Sequence, residues 1–207
     1  MKVLFATGNA SKAKRFSKGL EANEIEVISL NDINTSIEVD ENGKDAIENA
    51  LIKARAYSNL GYPVFAMDDN LYLDGVPEDM QPGMYVRRVN GKRLNDEEML
   101  THYIDLVKRF GTDGKLTCRW VYGIAFIKNG REYTYTWSKE DFYMVDTPSD
   151  KVDKDYPLNS ISVNKKLNKY FTDMTEEDRI LVQEDESNVV DFITSSIKDS
   201  MGIEKIR

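Results

Sequence analysis

The sequence predicts an α/β fold: a long mixed central sheet with flanking helices, arranged as two lobes. Three observations carry this. The chain opens on a short apolar run, Val3 to Ala6, which breaks at Thr7-Gly8-Asn9 into a helical pattern. An alanine-rich helical stretch between Lys44 and Leu60 is followed by a second apolar run, Val64 to Met67. Two long β-rich runs, Leu116–Lys128 and Glu132–Val145, then flank Asn129-Gly130. Strands alternating with helices indicate a parallel sheet. The long pair extends it in antiparallel fashion from one lobe to the other.

Each element has a local cause. Lys2–Ala6 and Glu26–Ser29 read as strands around a helix from about Ser11 to Ala22. Lys44–Leu60 reads as a helix because its alanines recur at packing intervals, and Gly61-Tyr62-Pro63 stops it. Val64–Met67 reads as a short buried strand ending in Asp68-Asp69-Asn70. Asn95 is placed to cap a helix running to Phe110, with Gly111 as its stop. Asn129-Gly130 suits a two-residue hairpin, whose turn needs positive φ at both positions. From Arg119 to Ile127 both alternating faces are apolar, as in a strand buried on two sides. With Tyr133, Tyr135 and Trp137 this makes an aromatic-rich surface, read as core packing, with a homodimer interface as the alternative use. Thr175–Glu186 and Ser187–Ile197 complete the helices, and residues 1–207 form a single domain with two lobes.

Bulk properties narrow the function classes. The 207-residue chain has a formal net charge of −8 and an isoelectric point near 4.9. That argues against a nucleic-acid backbone as partner, which needs a basic surface. A small anionic ligand needs only local positive charge. The one cysteine, Cys118, excludes an intrachain disulfide framework and sits in a β-rich run where an inert core role is expected. The apolar run after Met1-Lys2 is too short for a secretion leader, and no stretch reaches the length of a membrane span. The expected compartment is the cytoplasm.

Two motifs suggest chemistry. Gly8 allows a sharp turn and a close approach to a ligand. Thr7 and Asn9 offer hydrogen bonds, the following helix start favours an anion, and Lys12 can reach back as a point charge. Together they suit a phosphate chain; an ordinary strand–turn–helix start with an asparagine cap has the same pattern. The second motif is acidic: Asp40-Glu41 ahead of the alanine-rich helix, and Asp68-Asp69 at the end of a strand, where α/β proteins place ligands. Carboxylates converging on phosphates need a hard cation. Magnesium binds through one or two carboxylates plus phosphate oxygens, and a remaining acid can deprotonate a water. The plainer alternative has Asp68 and Asp69 cap the strand and face solvent.

Taken in order, Ala6-Thr7-Gly8-Asn9-Ala10-Ser11-Lys12, Glu48-Asn49-Ala50 with Lys53-Ala54, Asp68-Asp69, and Pro82-Gly83-Met84-Tyr85-Val86-Arg87-Arg88 resemble the inosine/xanthosine triphosphate pyrophosphatase family. The resemblance covers roughly residues 1–110. It implies a nucleotide cleft between the lobes and hydrolysis of a ribo- or deoxyribonucleoside triphosphate to monophosphate and pyrophosphate. On that pattern Thr7, Gly8, Asn9, Lys12 and Lys53 hold the triphosphate, and Arg88 lines the nucleotide pocket. Asp40 or Glu41, with Asp68 and Asp69, binds magnesium, manganese being the other candidate ion. Asp69 activates the water, and Lys12 and Lys53 join it as catalytic residues. Asn70-Leu71-Tyr72 departs from the family's Ser-Gly-Leu, and a homodimer is implied.

The C-terminal half departs further. The family's glycine-rich approach to a Tyr-Asp-Pro turn corresponds here to residues 151–159, where Tyr156 could stack on a base and Asn159 replace an acid. Counting on from Phe171–Arg179 places Gln183-Glu184-Asp185 at the family's Ser-His-Arg triplet. Carboxylates accept and do not donate, so Glu184 and Asp185 would reject ring carbonyls and favour amino-bearing bases. The alternative places them on a solvated helix face. An altered base preference is therefore expected, and the rival reading is a catalytically weak nucleotide-binding sensor or sequestering protein.

Overall fold

A computed structural model describes residues 1–7, 15–35, 37–154, 156–183 and 186–201. The strands are β1 (Lys2–Phe5), β2 (Glu26–Ser29), β3 (Val64–Leu73), β4 (Arg88–Val89), β5 (Lys92–Arg93), β6 (Lys115–Lys128), β7 (Arg131–Val145), β8 (Ser162–Asn164) and β9 (Lys169–Tyr170). The helices are α1 (Ser17–Glu21), α2 (Ala46–Tyr57), α3 (Asp96–Phe110), α4 (Glu176–Val182) and α5 (Ser187–Ser200). Seven strands form one mixed sheet in the order β2-β1-β3-β6-β7-β8-β9, and β4-β5 form a separate ribbon. β1 runs parallel to β2 and β3, while β8 is antiparallel to β7 and β9. The mixed α/β class expected from the sequence is therefore the class observed.

The chain divides into two compact units, the first comprising residues 1–69, 122–137 and 185–207, the second 70–121 and 138–184. In the first unit the strands are apolar on both faces, and each face has its own core. Val3, Phe5, Phe65, Met67, Ile124 and Phe126 meet Phe16, Leu20, Val189, Ile193 and Ile197 on one side. Leu4, Ala6, Val64, Ala66, Ala125 and Ile127 meet Ala50, Ala54 and Tyr57 of α2 on the other. Tyr122, Tyr135 and Trp137 pack against the first of these cores, with Tyr135 stacked on Phe192 of α5 at 5.6 Å. Arg15 lies 4.7 Å over the Tyr122 ring and donates to Glu186 through Nε at 2.8 Å. These aromatics thus have the core role expected of them.

Alanine spacing explains how closely α2 approaches the sheet. Ala46, Ala50 and Ala54 are buried along one stripe, and Gly123 of β6 lies under the first turn. A Cβ on Gly123 would stand 2.5 Å from Ala46 C and Ile47 N. The helix runs Ala46–Tyr57, shorter at both ends than the expected Lys44–Leu60: the Asp45 side chain caps the start by accepting from Glu48 N, and Ser58 caps the end with its N–H on Arg55 O.

Among the described residues the second unit has one core, with Leu71, Leu73, Met99, Tyr103, Leu106, Cys118, Phe142 and Met144 among its members. Burial pushes the Cys118 thiol up to about 12, consistent with an inert side chain. α3 begins as expected with Asn95 in a reciprocal capping box with Glu98. The β6–β7 turn at Asn129-Gly130 has φ of 52° and 73°, as the hairpin signal requires.

A strand boundary is corrected as well. β3 does not end at Met67 but continues to Leu73. The acidic pair read as a strand terminator, yet Asn70, Leu71 and Leu73 beyond it are buried, so the polar dipeptide is internal to the strand.

Candidate functional site

In the first unit, α2 and β3 bring three of the expected site residues together. Lys53, on α2, points its ammonium at Glu41 Oε2 (2.9 Å) and Asp68 Oδ1 (3.4 Å). The Lys53 and Asp68 side chains are 15% and 14% exposed, against 45% for Glu41. Both carboxylates contact one nitrogen, so their oxygens lie no more than about 6 Å apart, near enough to repel each other strongly without the cation. Asp69 follows on the same strand, and its N–H donates to Asp68 Oδ1 at 3.0 Å.

Glu41 stands in the segment before α2, and that segment is fastened to the helix it precedes. Gly43 N–H donates to Asn49 Oδ1 at 2.8 Å, and Lys44 N–H to Glu48 Oε2 at 2.8 Å. Asn49 is 1% exposed and lies four residues before Lys53, so both occupy one helix face. One turn of α2 holds the backbone near Glu41 and the next holds its carboxylate. Asp40 is exposed and accepts from Asn42 Nδ2 at 3.1 Å. Thr7 lies two residues beyond β1, its carbonyl accepting from Leu30 N at 3.3 Å. The expected contacts Gly8, Asn9 and Lys12 lie outside the described residues.

Glu41 and Asp68 offer hard oxygen donors already converging on one cation. Among the described residues no group of three His, Cys, Asp or Glu side chains is gathered as a metal cage. A pair of carboxylates completed by phosphate oxygens and water is the donor set magnesium takes at phosphate sites. The residues therefore fit such an ion.

In the second unit the Pro82–Arg88 block is pinned to β3 by paired bonds, Leu71 N to Gly83 O (2.8 Å) and Gly83 N to Leu71 O (3.0 Å). Gly83 has φ +50° there, a left-handed conformation that a side chain would strain. Arg88 follows on β4, exposed. Tyr156 is 48% exposed. It shares Asp153 with Asn159: Asp153 Oδ1 accepts from Tyr156 N (3.1 Å) and Oδ2 from Asn159 Nδ2 (2.9 Å). Glu184 and Asp185 lie outside the described residues. Asn70, where the expected Ser-Gly-Leu is missing, is 2% exposed, and its Oδ1 has no hydrogen-bond partner among the described residues.

Two features had escaped the sequence. Asn49 stands in the Glu48-Asn49-Ala50 block, but nothing in the sequence marked it as the anchor of the Glu41 segment. The other is a pocket of about 530 Å³ lined by Lys151, Val152, Asp153, Lys154, Thr172 and Arg179. Among the described residues the Thr172 hydroxyl is buried without a hydrogen-bond partner. These residues come from two segments about twenty apart, and no spacing rule connects them.

Comparison with known proteins is consistent across sequence and fold. The model of the Ham1 family matches residues 3–182. A dITP/XTP pyrophosphatase from Oceanobacillus iheyensis is 31% identical over 136 residues, 65% of this chain and 68% of the relative. One from Christiangramia forsetii is 36% identical over 110 residues, so the chain spans little more than half of that relative, 56%. One from Wigglesworthia glossinidia brevipalpis is 26% identical over 182 residues, 87% of this chain and 89% of the relative. The Staphylococcus aureus Ham1 protein shares the fold, with a TM-score of 0.72 at 19% identity over 96% of this chain and 99% of that one.

Proposed function

The chain belongs to the Ham1 family, and from that membership we infer that it is a nucleoside triphosphate pyrophosphatase. The observation that carries the reading is the convergence of Glu41 and Asp68 on the Lys53 ammonium, with Asp69 next along β3.

In the reaction we assign, a water oxygen bonds to the α-phosphorus and the bridging P–O bond to the β-phosphate breaks. The water proton passes to Asp69, and pyrophosphate leaves with the bonding electron pair. Glu41 and Asp68, with Asp40 and Asp69 as further carboxylates, would hold magnesium or manganese, which supplies neutralising charge to the phosphate chain. Lys53 offers a second cation to the same anion. Thr7, Gly8, Asn9 and Lys12 are assigned to the triphosphate, and Arg88, Tyr156 and Asn159 to the nucleoside.

For the base we propose a preference displaced from inosine and xanthosine, because Glu184 and Asp185 stand where the family pattern has donors. A second reading has one observation in its favour: Lys151, Lys154 and Arg179 line a pocket together with Asp153, and their donors would suit base carbonyls. A pyrophosphate-release screen across ribo- and deoxynucleoside triphosphates, with and without divalent ions, tests both levels. Metal-dependent release of monophosphate and pyrophosphate supports the reaction, and absence of turnover on every substrate contradicts it. Loss of an amino-base preference in a Glu184→Ala/Asp185→Ala variant supports the displaced preference. A preference for carbonyl-bearing bases that Arg179→Ala weakens supports the second reading.

A further inference from the structure

We propose that Lys53 is the resident counter-ion of the Glu41–Asp68 pair, and that it gives up both carboxylates when a divalent cation binds. The inference rests on the metal-dependent reading above and adds a role for Lys53 before substrate arrives. Three features lead to it. Lys53 ion-pairs with two carboxylates that the reaction assigns to a different cation. Its side chain and that of Asp68 are largely shielded from water, so their attraction is screened less than at an exposed pair. The Glu41 segment is tied to α2 through Gly43–Asn49 and Lys44–Glu48, which keeps Glu41 facing Lys53 whichever cation it neutralises.

The consequence is competition. Divalent-ion binding to the substrate-free protein must break two ion pairs, so the affinity is held down until a phosphate chain gives the released ammonium a new anion. Substrate and metal therefore bind cooperatively. A carboxylate site without the lysine would take the metal readily and in any order.

The test measures Mn²⁺ binding to the substrate-free chain from the electron paramagnetic resonance signal of the free ion. Lys53→Gln is expected to bind Mn²⁺ roughly tenfold more tightly than the unaltered protein, as follows from removing a competing unit charge at close range. Lys53→Arg, which keeps the charge, is expected to stay weak. Equal or weaker binding by Lys53→Gln overturns the proposal. Glu41→Gln and Asp68→Asn separate its failure from that of the underlying reading. If neither weakens Mn²⁺ binding, the metal assignment itself fails; if both do while Lys53→Gln changes nothing, only the exchange fails. A measurement on the unaltered chain guards against a misfolded variant. Acetylation of Lys53 by acetic anhydride, followed by peptide mass spectrometry, is expected to accelerate when Mg²⁺ is added. An unchanged or slower rate overturns the exchange.

Discussion

The Gly43 amide donates to Asn49 Oδ1 at 2.8 Å, and the glycine has no room for anything larger. A Cβ at position 43 would lie 2.7 Å from that oxygen and 2.8 Å from the Asn49 amide nitrogen. Asn49→Leu removes the acceptor and leaves a buried N–H unpaired, an expected loss of about 1–3 kcal/mol of stability. Because the same bond fixes the segment carrying Glu41, half-maximal activity is expected to need more magnesium. Urea denaturation and a magnesium titration of turnover check the two effects. A variant that loses stability with no change in metal requirement would separate Asn49 from the site.

Gly123 performs a related service from the sheet. The atoms a Cβ would meet belong to the α2 backbone, not to a flexible side chain. Gly123→Ala is therefore expected to destabilise by about 1–3 kcal/mol, as overpacking does, and to reduce turnover by shifting the helix that carries Lys53. Thermal denaturation alongside steady-state kinetics measures both.

Asp69→Asn addresses the chemistry. The variant keeps the shape of the side chain and the backbone bond to Asp68 but loses the proton acceptor. Turnover is expected to fall by about 10²–10⁴-fold, the usual contribution of a general base, with nucleotide binding still metal-dependent but needing more magnesium. Unchanged turnover would remove Asp69 from the role of base. Wild-type protein that binds nucleotide without turnover would favour the sensor reading.

A pH effect is expected at α4. Asp178 accepts from Lys169 Nζ through both oxygens, at 3.0 and 2.8 Å, and from Thr175 N at 3.0 Å. The bond from Lys169, then that from Thr175, holds its carboxyl below the usual aspartate range. A depressed native value means the ionised form is favoured by folding. That contribution is complete above the ordinary aspartate pKa and fades as pH falls through the lowered one. The melting-temperature gap between wild type and Asp178→Asn should be widest near neutrality and close below about pH 4. A gap constant down to pH 3 would show that the carboxylate charge is not what stabilises the helix start.

What was legible in the sequence follows from where the physics is local. Caps, stops and the tight hairpin depend on a few neighbouring residues, and Asn95 and Asn129-Gly130 act as their types suggest; Thr175, read as the first residue of a helix, is the cap before it. The extension of β3 was hidden because its continuation depends on burial of Leu71 and Leu73 in a core assembled from distant segments. Asn90-Gly91 carries the same turn signal as Asn129-Gly130, with φ of 49° and 78°. Its flanks, Arg88-Val89 and Lys92-Arg93, lack the apolar run that marks a hairpin, and the ribbon they form went unread. Lys53 and Asp68 were read as candidate site residues from motif order, and Glu41 from the acidic run ahead of the alanine-rich helix. Their mutual ion pairing was not, since sequence gives residue types and order but no distances.

The reaction itself is tested most directly by where a solvent oxygen goes. Turnover of the preferred nucleoside triphosphate in ¹⁸O-water, with magnesium present, is to be followed by mass spectrometry of both products. Attack at the α-phosphorus places the label in the nucleoside monophosphate and leaves pyrophosphate unlabelled. Label in pyrophosphate, or release of inorganic phosphate in its place, would contradict it.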